Sequence, residues 1–343
     1  MPEMRHVRVN DGVQLMHLVN IFDMERERFL EIRNRFLTSA IPIQSTEHLK
    51  GRNKSLNALV DALSSPGRHA FVYGFRGVGK TSLSQTAAFQ LQHSAGSPIL
   101  LSCDSSSSFG TLCSGAITQA MKIDPLERKG QLKLNIGGTI PGIGGANVTY
   151  EQIRHNLELE IKSANAATAY FKAVTQKNGF GLIIVIDEFD NLTSNDDHKK
   201  FATLVKILSD QNIPVKFIFC GIADEIERLF SAHESISRQI HSEKVDQLNF
   251  QARLDIINDA EKALKITMKK DFKFRIAQIS DGFPAFIHLI AEKTFTSAFD
   301  ADEKFISDES YVAGLQDACS SIEFSMKNRY EKPYTKILAR TSR

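Results

Sequence analysis

Two short stretches of this chain carry side chains whose types and spacing point to chemistry on phosphate. The first, Gly74-Phe75-Arg76-Gly77-Val78-Gly79-Lys80-Thr81, is a complete G-x-x-x-x-G-K-T string. Glycines at 74, 77 and 79 let backbone N–H groups turn inward at phosphate oxygens, and a helix starting near Lys80 adds the positive end of its dipole. Lys80 is placed by this spacing to reach the outer phosphates of a nucleotide, and the Thr81 hydroxyl to ligate Mg²⁺. Arg76, Val78 and Ser82 complete the expected phosphate-facing set. The second stretch, GLIIVIDEFDNL at 181–192, ends an apolar run in Asp187-Glu188. Carboxylates at the exit of a buried parallel strand lie at the crevice where a phosphate loop opens. Asp187 is therefore expected in the Mg²⁺ shell, and Glu188 beside the attacking water.

The elements around these residues must deliver them to one place. A strand at Ala70 to Tyr73 runs into the loop, and a helix-forming run without Gly or Pro follows as far as Gly96. Pro98 to Cys103 reads as a short buried strand, followed by a Ser-rich turn that caps a helix from Phe109. Residues 130 to 149, with paired glycines at 137–138 and 144–145, suggest an inserted β-hairpin or flap; a surface loop and an oligomer or ligand contact are the other readings. A long helical region then spans Tyr150 to Lys177, a helix His198 to Gln211, a strand Val215 to Cys220, a helix Ala223 to Phe230, and a fifth strand about Lys244 to Leu248. Beyond Gln251 only helical patterns remain: Ala252 to Leu264, Phe272 to Ile279, Pro284 to Phe299 and Asp308 to Met326. At the other end, Leu18, Phe22, Phe29, Ile32 and Phe36 fall on one face of a helix that either packs on the body or binds a partner.

Composition narrows the class without naming a partner. The 343 residues carry 42 Lys and Arg against 40 Asp and Glu, a net charge of +2, so any anion-binding surface must be local. The four cysteines, at 103, 113, 220 and 319, have neither C-x-x-C nor zinc spacing and read as core residues in a reducing compartment. No signal peptide follows Met1, and the longest apolar run is too short for a bilayer, so a cytoplasmic location without membrane contact is expected.

The string LKGRNKSLNALVDAL ahead of GFRGVGKTSL resembles the entry to an AAA+ or STAND-type ATPase module, in the branch of origin-recognition initiators and related transposition and defence ATPases. The resemblance covers about Ile41 to Met326. It implies an α/β phosphate-loop fold with a parallel sheet of order 5-1-4-3-2 over 41–249 and a helical lid over 250–328; the helical spacing before it reads as an N-terminal extension over 1–40, and the residues after it as a basic tail over 329–343. Gly51 and Arg52, with Pro42 and Ile43 upstream, then become base-pocket candidates; a plain helix-start charge is the other reading of Arg52. The family's γ-phosphate sensor falls at Cys220 or Gly221, where its usual polar residue is absent. Arg238 sits where such ATPases place an arginine that reaches a neighbouring subunit's nucleotide, or it is an ordinary surface arginine. The lid motif reads Gly282-Phe283-Pro284-Ala285, with Ala285 where an arginine is the rule. His288, one turn later, either faces the nucleotide or is structural.

The implied activity is Mg²⁺-dependent hydrolysis of ATP to ADP and phosphate at sites completed between copies of the chain. One role consistent with it is a regulatory ATPase that controls a separate partner protein in mobile-element biology or anti-phage defence. The alternative is a DNA-associated loader or remodeller, although no winged-helix segment follows the lid pattern. A small-molecule kinase fits less well, since the Asp-Glu pair, the lid and the trans arginine form a hydrolase pattern.

Overall fold

The computed structural model describes residues 25–38, 41–92, 96–122, 150–223, 229 and 234–322. The glycine-rich insertion, the basic tail and most of the helix expected at 223–230 lie outside them. Five strands form a single parallel sheet: β1 (His69–Tyr73), β2 (Ile99–Ser102), β3 (Leu182–Asp187), β4 (Val215–Gly221) and β5 (Ile240–Lys244). Their order is β2-β3-β4-β1-β5, which is the expected 5-1-4-3-2 read from the other edge. Register aligns the exits: Ser102 pairs with Asp187, and Tyr73 pairs with both Gly221 and Lys244. The residues that follow each strand therefore meet at one rim.

Strand parity divides the core. Phe71, Ile184, Ile186, Phe217 and Phe219 point to the side covered by α4 (Phe109–Lys122), α6 (Ala164–Asn178) and α7 (Asn195–Asp210). Ala70, Val72, Ile183, Val185, Ile218 and Cys220 point to the opposite side, covered by α2 (Asn53–Ser64) and α3 (Lys80–Leu91). Both faces are apolar, as a parallel sheet under helices on two sides requires. Cys103, Cys113 and Cys220 are buried free thiols, while Cys319 is exposed and so departs from the core reading.

Two departures from the sequence expectation go beyond shifts of one to three residues at helix ends. The helical region from Tyr150 breaks into α5 (Tyr150–Glu160) and α6, because Ser163 turns extended and its side chain accepts the Ala166 N–H at 3.2 Å as an N-cap. The fifth strand runs Ile240–Lys244 and not 244–248. Val245 and Leu248 are buried as expected of the later window, but they lie in the turn that leaves the sheet for the lid.

The lid consists of α8 (Phe250–Leu264), α9 (Lys270–Ile279), α10 (Pro284–Asp300) and α11 (308–322) around its own apolar cluster. The N-terminal helix α1 (Arg26–Phe36) belongs to this cluster, so the face bearing Phe29, Ile32 and Phe36 packs on the lid. Phe29 stacks on Phe299 with ring centroids 4.0 Å apart, and the Arg33 guanidinium donates to Thr296 at 2.9 Å. Among the described residues no helix is long and apolar enough to cross a membrane.

One buried histidine at the sheet's entry edge makes stability depend on pH. His69 is fully buried, and its Nδ1 accepts the Phe217 N–H at 3.0 Å; burial, aided by nearby Lys216, pulls its pKa from 6.5 down to about 3. Below pH 6.5 the unfolded chain takes up a proton that the folded chain refuses, so stability falls as pH drops through this window. Between pH 6.5 and 5 the loss is about 2 kcal/mol from this group. In His69→Asn the amide oxygen replaces the acceptor nitrogen without titrating. Unfolding free energies measured by denaturant at each pH should show a shallower slope over that window; an unchanged slope would place the titration elsewhere.

Candidate nucleotide site

The phosphate loop is built by close approach of two chain segments. β1 exits into Gly74, and a Cβ there would lie 2.3 Å from the Val245 carbonyl oxygen, so only glycine lets β1 turn this close to the segment after β5. Arg52 holds the same junction from below, donating through Nη2 to the carbonyls of Val78 at 2.8 Å and Asp246 at 2.5 Å. The loop ends at Gly79, and α3 begins at Lys80.

Lys80 Nζ donates to the carbonyls of Gly74 and Phe75, each at 3.0 Å, and so lies across the mouth of the loop. Partial burial lowers its pKa, opposed by the carboxylates of Asp187 and Asp190. The Thr81 hydroxyl donates to Asp187 Oδ2 at 2.5 Å, which joins the phosphate loop to the acidic strand end. Glu188 takes a left-handed backbone conformation with φ of 52°, uncommon for a residue with a Cβ and a cost met where the surroundings fix it. The surroundings here are Phe189, wholly buried against Phe71, Phe201 and Phe219. The Glu188 carboxylate lies 3.4 Å from the Arg76 guanidinium and accepts from Ser102 Oγ at 3.4 Å.

These groups open into a cavity of about 240 Å³ between the loop and the lid. Arg76, Gly77, Gly79, Lys80, Thr81 and Ser82 form its floor, and Asp187, Glu188 and Asp190 one wall. The far end is formed by Thr38, Ile41, Pro42 and Ile43, and the roof by Pro284, Ala285 and His288. Ser82 Oγ accepts the Ile43 N–H at 3.0 Å and Thr86 Oγ1 donates to the Ile43 carbonyl at 3.2 Å, so the 41–43 segment is fastened to the first turns of α3.

Most of the candidate residues thus converge on one cavity, while Val78, Gly51, Arg52, Cys220 and Arg238 are not among those lining it. Val78 is wholly buried in the core beneath the loop. Gly51 and Arg52 lie off the cavity. A Cβ on Gly51 would sit 2.5 Å from Cβ of Ala252, which makes Gly51 the contact between the start of α2 and lid helix α8. Arg52 is 7% exposed with a pKa lowered by burial, partly offset by Asp246, and its fork is taken up by the two carbonyls named above. It is neither a surface charge nor a wall of the cavity. Cys220 is wholly buried and its thiol donates to Ser84 Oγ at 3.0 Å, because parity turns it toward α3; burial pushes the thiol pKa up. The residue that lines the cavity beyond β4 is Ile222. Arg238 stands on the other end of the sheet, exposed, two residues before β5 enters beside His69. Missed at first were Asp190 and Ser102. Both had a signal: Asp190 follows two residues after Glu188 in the string DEFD, and Ser102 ends the strand that neighbours β3.

Residues 63–230 match the family model described as an AAA domain. The chain has the P-loop ATPase fold, and this stretch of it resembles an AAA domain. Solved structures similar to it include the Walker-type ATPase PABY2304 of Pyrococcus abyssi, with a TM-score of 0.58 and 13% identity over 87% of this chain and 79% of that one. The ORC2 protein of Aeropyrum pernix, solved as ADPNP-ADP complexes, has a TM-score of 0.57 and 14% identity over 83% of this chain and 71% of that one. The Aeropyrum pernix ORC1 protein in complex with DNA has a TM-score of 0.54 and 15% identity over 83% and 69%. No curated protein matches the chain. Identities this low establish the shared AAA+ architecture of sheet and lid, and leave the chemistry to the residues in the cavity.

The donor set at this site suits a small hard cation. Among the described residues no three His, Cys, Asp or Glu side chains gather as a metal cage. A cation at the Thr81–Asp187 pair would draw its remaining ligands from phosphate and water, which is how Mg²⁺ is held at nucleotide sites. The hydroxyl and carboxylate already in contact fit that role.

Proposed function

We propose that this chain is an Mg²⁺-dependent ATPase that releases ADP and phosphate, assembles with copies of itself, and controls a separate partner protein in mobile-element biology or anti-phage defence. The observation that carries the ATPase reading is the convergence of Lys80, the Thr81–Asp187 pair and Glu188 on one cavity roofed by the lid. Lys80 exchanges its two loop carbonyls for phosphate oxygens, a stronger pairing because the acceptors are charged. Mg²⁺, when bound, neutralises charge on the phosphates. Glu188 is the proton acceptor for the attacking water, and Asp187 with Thr81 would hold the cation. In the regulatory role, the lid and α1 carry the state of the site outward, since Phe29 and the cavity-lining His288 belong to one helical unit.

A second reading, a DNA-associated loader, draws its support from the fold shared with the Aeropyrum pernix ORC1 protein solved with DNA. A net charge of +2 offers no strong general attraction for a polyanion, which favours the first role. Duplex DNA binding that weakens steeply with salt would reverse that preference.

Lys80→Ala tests the nucleotide site directly. The ammonium contacts only two loop carbonyls, so the variant should melt like the wild type. Its affinity for ATP, measured by calorimetry, should fall about a hundredfold or more, the loss of charge-assisted bonds to phosphate. Normal affinity in this variant would remove the phosphate-loop assignment.

A further inference from the structure

His288 lines the roof of the cavity, 4% exposed, and neither of its ring nitrogens has a hydrogen-bond partner. A buried polar group without a partner forfeits its hydration, so folds retain few of them, and those few mark a place where something else supplies the partner. Burial, reinforced by His48, holds the His288 pKa at about 4, so at neutral pH one nitrogen donates and the other accepts. A group with both capacities is matched by hydroxyls, each of which donates and accepts, and less well by phosphate, which only accepts.

Position along α10 selects among the parts of a nucleotide. The helix starts over the phosphate loop, where Cβ positions built on Gly77 and Gly79 would lie 3.7 and 3.8 Å from Phe283 and Pro284. His288 is four residues beyond Pro284, about 6 Å farther along the axis at 1.5 Å per residue. Thr38 and Ile41 line the same cavity. A sugar attached to phosphates that are held at the loop enters the cavity at this remove.

We infer that His288 reads the ribose of the bound nucleotide, hydrogen-bonding its 2′ and 3′ hydroxyls, and thereby couples the lid to the sugar. The inference rests on the nucleotide reading of the site given above. It assigns the ribose specificity of the cavity to the lid and not to the 41–43 segment, whose described hydrogen bonds run from Ile43 to α3 and from Ile41 to the Thr38 hydroxyl.

The test is calorimetric titration of the full chain with ADP and with 2′,3′-dideoxy-ADP. Wild type should prefer ADP by about tenfold, the worth of hydrogen bonds to an otherwise unpaired buried group. In His288→Phe the preference should collapse to near one, and His288→Gln, which offers a donor and an acceptor, should restore part of it. Thermal melts check that each variant is folded, and the Gln variant keeps the test decisive if Phe disturbs the lid. A wild type that binds both nucleotides equally overturns the inference while leaving the nucleotide site standing. A preference that survives unchanged in both variants also overturns it, since the hydroxyls are then read elsewhere. A wild type that binds neither nucleotide removes the parent reading and this inference together.

Discussion

Glu188→Gln should bind ATP as well as wild type and hydrolyse it about 10² to 10⁴ times more slowly, the span expected for loss of a positioned general base. The carboxylate does not contact Lys80 or Thr81; its partners are Arg76 and Ser102, both at 3.4 Å. An amide of the same shape keeps one acceptor oxygen for Ser102 or Arg76, and the Lys80 and Thr81 contacts do not involve this side chain, so ATP binding is expected to hold. What it cannot do is take the proton of an attacking water. The backbone that presents this side chain is fixed by Phe189 in the aromatic core, so the substitution leaves the strand end in place. Steady-state phosphate release measured beside equilibrium ATP binding separates the two effects. Unchanged turnover would move the base to another cavity carboxylate, and Asp190 is the one available on that wall.

The site was legible in the sequence where its chemistry is local, and illegible where it depends on what the fold brings from afar. Residues 74–81 and 187–188 are legible because a phosphate loop must be a strand, a glycine turn and a helix in immediate succession, and because an apolar run closed by acids marks a strand exit. Sheet order followed from the same two anchors through the resemblance. Arg52 shows the limit. At a helix start it reads as a surface charge or a base contact, yet its partners are carbonyls 26 and 194 residues away. Gly51 fails for the same reason, since its neighbour Ala252 belongs to the lid. Cys220 was misplaced by parity: β4 extends through Gly221, which turns the thiol under α3 and leaves the cavity wall to Ile222. His288 was reachable because helical spacing set it one turn past Ala285, and both residues line the cavity. Its lack of a partner is a property of packing that no spacing encodes.

Arg238→Ala should keep ATP affinity and lose the rise in activity per subunit with protein concentration that a site shared between copies produces. The geometry excludes action on its own nucleotide. Arg238 precedes β5, whose first residue pairs with His69 at the entry of β1, whereas the phosphate loop leaves β1 at its exit. Five residues of strand separate the two ends, about 17 Å at 3.3 Å per residue. The turn itself is held, since Arg68 Nη1 donates to the Arg238 carbonyl at 2.8 Å, while the Arg238 side chain is exposed. Any nucleotide it touches therefore belongs to another copy, and Ala285 puts no cation in the roof to take its place. An arginine supplied in trans is worth roughly 10³ to 10⁵ in rate at phosphate-loop sites. Mixing Arg238→Ala with Lys80→Ala gives the decisive arm, because the mixed interface joins the intact loop of one variant to the intact arginine of the other. Activity should return in part, in proportion to the mixed interfaces formed. A mixture as inactive as its components would show that Arg238 does not complete a neighbour's site, and the ATPase would then have to stabilise its transition state within one subunit, with Lys80 and Arg76 as its only cavity cations among the described residues.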